Sequence, residues 1–215
     1  MAQDYQPFLL SDAAMQAASY STYKNFQAKS TIGLTELKAW KRRIIQFQSQ
    51  IAPPEQQGSL FNLSATDNLA CSAINNETSE KEIASNIEPF ALRRQNTEFW
   101  RWRFEDVGVA AMYFVIDYAA IDTNEALLLY VGETVKSNQR WKGEHDCKRY
   151  LLNYRQAHYD NGLKSELGIA FWPKAPTDRR SRQALESALI SRWRSPFNKE
   201  NWRFWNTPFV DGKVS

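Results

Sequence analysis

The stretch Leu127-Leu128-Leu129-Tyr130-Val131-Gly132 is apolar until it stops on a glycine, the pattern of a buried strand broken at a turn residue. Working outward, Met112-Tyr113-Phe114-Val115-Ile116-Asp117 alternates. It predicts a strand over 110–118, with Tyr113, Val115 and Asp117 on one face and Met112, Phe114 and Ile116 on the other. The polar connection between the two runs is short, so they pair as an antiparallel hairpin. Beyond them, 139–156 reads as a helix with Tyr150, Leu151 and Tyr154 on its apolar side. Leu167–Trp172 reads as a third strand ended by Pro173. Thr177 or Asp178 can cap a last helix that turns Leu185, Leu189, Ile190 and Trp193 inward and ends before Pro196. The order β-β-α-β-α predicts an α+β domain: a small three-stranded antiparallel sheet flanked by helices, with an N-terminal helical extension.

That extension starts near Gly33. Leu37, Trp40, Ile44, Phe47 and Ile51 fall at alternating spacings of three and four, an apolar stripe on one helical face. The stripe could pair with a partner helix or a second copy. Beside it Lys38, Lys41, Arg42 and Arg43 form a solvated face or a set of phosphate contacts. Pro53-Pro54 stops the helix. Residues 52–88 carry six acids and one lysine among Asn, Ser and Gln, which reads as an acidic polar linker. Three regions follow: 1–51 helical, 52–88 linker, 89–215 main domain. Within 90–104, arginines alternate with Phe90, Phe99, Trp100, Trp102 and Phe104. This reads as an edge strand, or as a groove for single-stranded nucleic acid in which rings stack on bases.

Composition bounds the function. The chain has 215 residues, enough for one sizeable core without staples, and is 43% hydrophobic and 24% charged. Its two cysteines, Cys71 and Cys147, are far apart, which argues for a reducing, cytoplasmic setting and against a cysteine metal site. The opening residues have no basic segment before an apolar run, so no signal peptide is expected, and no run is apolar enough to span a membrane. Between Gly108 and Trp205 there are 15 Lys/Arg against 11 Asp/Glu, a mildly basic balance that permits nucleic acid as partner.

With these elements in order, the chain resembles the GIY-YIG endonuclease superfamily over about residues 108–205. Ala111-Met112-Tyr113 matches the first tyrosine motif and Tyr130-Val131-Gly132 the second. The family's arginine falls ten residues after the second tyrosine, at Arg140; its glutamate lies on a later helix, at Glu186. Its asparagine follows beside a Pro-x-Asn turn, at Asn198. Ala111 stands where glycine is usual, seventeen positions separate the tyrosines, and His145 lies five after the arginine where four is usual.

The resemblance implies a metal-dependent endonuclease acting on nucleic acid, with DNA ahead of RNA; an inactive binding domain on the same scaffold is the alternative. Tyr113, Tyr130, Arg140, His145, Glu186 and Asn198 would form the catalytic set. Phosphodiester hydrolysis needs an activated water, in-line geometry and charge neutralisation. Glu186 suits Mg²⁺ or Mn²⁺, Arg140 offers a forked cation to phosphate, and Asn198 can bind phosphate or fix its loop. A tyrosine serves as base only where a neighbouring cation lowers its pKa. Lys142, Arg179, Arg180 and Arg182 are expected among the phosphate contacts.

Overall fold

A computed structural model describes residues 32–51, 76–96, 109–119, 125–135 and 146–210. Helices α1 (Leu34–Ser49) and α2 (Asn76–Ser85) precede strand β1 (Arg94–Asn96). The hairpin β2 (Ala111–Asp117) and β3 (Leu127–Thr134) follows. Then come α3 (Asp146–Asp160), β4 (Leu167–Trp172), α4 (Arg179–Trp193) and the short α5 (Trp202–Trp205).

The sheet is antiparallel throughout, in the order β1-β4-β2-β3. It has four strands where three were expected. The extra one lies inside the stretch read as an edge strand, as the three-residue β1 paired to β4. Phe99 to Phe104 lie outside the described residues.

The period-two pattern of β2 sorts two cores. Tyr113 and Val115 join Leu127, Leu129 and Ile169 under α1 and α3. Met112, Phe114 and Ile116 join Leu128, Val131, Leu185, Leu189 and Trp193 under α4 and the end of α2. β2 is buried along its whole length, so both faces of its hairpin need cover. The α1 stripe gives part of it: Leu37 and Ile44 are fully buried in the first core, so the apolar face offered to a partner helix is already spent inside the chain. α1 belongs to the same compact unit as the sheet, Thr31–Ser215. Residues 76–85, read as part of the linker, are helical, and Ala84 and Ile87 pack in the second core.

Helix ends follow local chemistry. The Asp178 carboxylate accepts from the Ser181 N–H at 2.9 Å and caps α4. α3 runs four residues past Gln156, the end expected for it, because its stop signal is Gly162. With φ of 65° that glycine lets Leu163 donate to the His158 carbonyl at 2.8 Å, closing the last turn.

Candidate active site

β3 is one of the sheet's two edge strands, and what happens along it builds the site. Val115 pairs with Tyr130 but Ile116 pairs with Leu128, so Leu129 is an extra residue, a bulge. Without that bulge Leu127 and Tyr130, three apart, would face opposite sides. With it, Tyr130 lands on the Tyr113 face. The two rings stack with centroids 5.9 Å apart and planes 26° from parallel. Their side chains also share a hydrogen bond.

Gly132 is opposite Tyr113, and a Cβ there would lie 2.3 Å from Tyr113 Cζ. The glycine that ends the apolar run is therefore the seat of the first tyrosine. Burial, then Tyr113, Cys147 and the Glu186 carboxylate, push the Tyr130 phenol well above its ordinary pKa. Both tyrosines and Glu186 thus form one electrostatic neighbourhood.

Glu186 sits half-buried in the middle of α4, and its Oε1 accepts from the backbone N–H of Glu133 at 3.1 Å. Asn198 clamps the same edge two residues earlier. Its Oδ1 accepts from Val131 N–H and its Nδ2 donates to Val131 O, both at 2.9 Å, while Ser195 Oγ donates to the same Oδ1. Asn198 is buried, so of its two expected roles the structure shows the one that fixes the neighbouring backbone. Gln48 of α1 makes a matching clamp on Leu128, accepting from its N–H and donating to its carbonyl at 3.0 Å each. Phe197 N–H donates to Leu129 O.

Of the residues expected to contact phosphate, Arg179 and Arg180 are exposed in the first turn of α4. Arg182 is not with them. It is 2% exposed, its Nε donates to Glu133 Oε2 and its Nη1 to the carbonyls of Pro176 and Thr177. A guanidinium consumed this way holds α4 to β3 and has no surface for a strand. Arg140, Lys142 and His145 lie outside the described residues. No group of three or more His, Cys, Asp or Glu side chains gathers among the described residues.

Sequence reasoning missed a second polar cluster, at the other end of β2. Lys41 Nζ donates to Asp117 Oδ2 at 2.9 Å, to the Ala119 carbonyl at 3.2 Å and to His158 Nε2 at 3.1 Å. An ammonium only donates, so Nε2 is the bare nitrogen and Nδ1–H donates to Tyr154 O at 2.8 Å. Tyr154 Oη donates to Asp117 Oδ2 at 2.7 Å, and the backbones of Ala119 and Glu166 fill Oδ1. Burial and the Lys41 ammonium push His158 down to about 4. Burial and the Asp117 carboxylate raise Tyr154. The signal was available as a lysine inside the α1 stripe and an aspartate inside an apolar strand, residue types that go fully inside almost only as pairs.

Comparison of the chain with protein-family models, curated proteins and solved structures finds no match in any of the three.

Proposed function

We propose that the chain is a metal-dependent endonuclease of the GIY-YIG type that hydrolyses phosphodiester bonds in DNA. One observation carries the reading: Tyr113 and Tyr130 are stacked and hydrogen-bonded over Gly132, and Glu186 lies close enough to bear on the Tyr130 phenol. Three motif residues far apart in the chain converge through a bulge and a bare glycine, features that plain core packing does not require.

The donor chemistry fits a hard divalent ion. Glu186 is a single half-buried carboxylate, and Mg²⁺ or Mn²⁺ takes one or two carboxylates and completes its shell with water and phosphate. Bound at Glu186, such an ion supplies positive charge to the phosphoryl oxygens. The protein's own residues do the rest. The Glu133 N–H aims the Glu186 carboxylate, with Glu133 itself anchored by Arg182. Tyr130, held protonated by its raised pKa, orients a water as hydrogen-bond donor in the free protein. Tyr113 fixes Tyr130, and Asn198 fixes the strand that carries both Tyr130 and Gly132. Arg140, with Lys142 and His145 nearby in sequence, is assigned to the phosphate, and Arg179 and Arg180 to the flanking backbone.

The raised Tyr130 favours one second reading, a nucleic-acid-binding domain without turnover. Supercoiled plasmid incubated with Mg²⁺, Mn²⁺ or EDTA, using wild type and Arg140→Ala side by side, separates the two. Metal-dependent nicking lost in the variant supports the enzyme. Salt-dependent binding with no nicking supports the binding domain.

A further inference from the structure

Phe204 of α5, beside α1, is an exposed ring, 53% accessible, although three neighbours brace it. The Arg194 guanidinium lies over its face, 5.0 Å from the centroid. Phe47 and Trp205 meet it edge-on at 6.2 and 4.7 Å. Arg194 holds that place because it caps α4 in the left-handed conformation, φ 47°, and its carbonyl accepts from the Trp205 indole N–H. Arg43 reaches the same spot, donating to Trp205 O at 3.4 Å, and the exposed Arg203 is the ring's chain neighbour. Among the described residues no carboxylate pairs with Arg43, Arg194 or Arg203.

We propose that Phe204, with Arg43, Arg194 and Arg203, forms a stacking platform that holds an unpaired stretch of the nucleic-acid strand. A braced, exposed ring amid guanidiniums supplies what such a strand needs, a π-face for a base and cations for its phosphates. A duplex hides its base faces and would use only the charges. A second copy across a two-fold axis would set the three arginines against themselves, which like-charge repulsion disfavours. The platform also lines up with the candidate active site. Phe47, beside Phe204, precedes Gln48, whose amide holds Leu128, whereas Glu186 holds Glu133 five residues further along the same edge of β3. With Leu129 bulged, those five residues span four positions of β2, so at about 3.4 Å per residue the two anchor points are roughly 14 Å apart, and a few nucleotides of one strand reach both. The inference rests on the nucleic-acid reading above and deepens it: the preferred substrate carries a single-stranded segment, such as a flap or bubble, beside the scissile bond.

The test is fluorescence anisotropy of the full chain in EDTA, so that nothing is cut, with labelled oligo-dT and a duplex of equal length. Phe204→Leu keeps an apolar contact with Phe47 and Trp205 but loses the aromatic face. It is expected to weaken oligo-dT binding roughly tenfold and leave duplex binding nearly unchanged. Arg43→Gln with Arg203→Gln should flatten the slope of log affinity against log salt by about 1 to 2. Arg194→Gly suits the left-handed position, so it tests the cation without straining the backbone. Unchanged oligo-dT affinity and salt slope in all three variants overturns the platform. So does a dimer in sedimentation that Phe204→Leu dissociates while oligo-dT binding is untouched. Plasmid cleavage is scored separately: absent nicking with the variants still losing oligo-dT removes the enzyme and leaves the platform standing.

Discussion

Tyr113 and Asp117 project from the same face of β2, four residues apart, yet the polar clusters around them have opposite character. Around Asp117 the system is closed. Lys41 is 1% exposed, Asp117 and His158 are no more so, and every lone pair and N–H of the carboxylate–ammonium pair has a partner. Around Tyr113 the system opens outward, because Tyr130, Glu133 and Glu186 are all half-buried. One strand thus carries a dry charge pair that fastens α1 and α3 to the sheet and a wetter set that can meet a ligand. The first contributes to holding the fold in register; the second is where the proposed chemistry is placed.

That contrast can be broken experimentally. The largest effect is expected from Lys41→Met, which strands the Asp117 carboxylate in the interior. The cost is about 3–5 kcal/mol, read from the urea midpoint. A matching loss for Lys41→Met combined with Asp117→Asn would show that the charges were not the cause, since the double change removes the orphan.

Next is pH. The folded His158 titrates near 4, below its unfolded value near 6.5, so the unfolded chain takes up the proton first. Stability is full above about pH 6.5 and falls by up to about 3 kcal/mol as pH drops toward 4. An imidazole that titrates near 6.5 in a folded-state NMR experiment would remove this account.

At the open end the expected losses are in activity. Glu186→Gln keeps an oxygen for the Glu133 N–H, so its unfolding midpoint should move by less than about 0.5 kcal/mol. Cleavage should drop by at least roughly 100-fold, equivalent to about 2.7 kcal/mol of barrier. Retained metal-dependent turnover would sink the metal role of Glu186. Smallest in energy is Gly132→Ala. Its methyl must displace the Tyr113 ring, at about 1–2 kcal/mol in stability, and should separate the stacked tyrosines. An unchanged tyrosine environment in near-ultraviolet circular dichroism would show that the seat is softer than its geometry.

What was legible in the sequence follows from the range of the interactions. β2 was legible because period-two burial is a local pattern, and both cores divide its residues as that alternation requires. Asp178 as cap and Pro196 after the helix were legible for the same reason. The bulge at Leu129 was not, since three consecutive leucines carry no mark of which one is extra. Lys41 looked like one of four basic residues on a solvated face. Its partner lies 76 positions away, and no local rule links them. Arg182 was misassigned by the same logic: its basic neighbours Arg179 and Arg180 do face out, but Arg182, two residues past Arg180, lies about 200° further round the helix and over Glu133. Asn198 was placed in the right turn with its role left open between phosphate and loop, and its two hydrogen bonds to Val131 show it fixing the neighbouring backbone.

The clamps along β3 have a consequence for how the protein behaves in company. An edge strand with free N–H and C=O groups is a template onto which other chains can polymerise. Here both backbone groups of Leu128 and Val131, the carbonyl of Leu129 and the N–H of Glu133 are already taken by Gln48, Asn198, Phe197 and Glu186 respectively. Two of those guards, Glu186 and Asn198, belong to the set the sequence marks as candidate site residues. Variants that truncate Asn198 also unlatch this edge, so preparations of them are the ones to watch for clumping on storage.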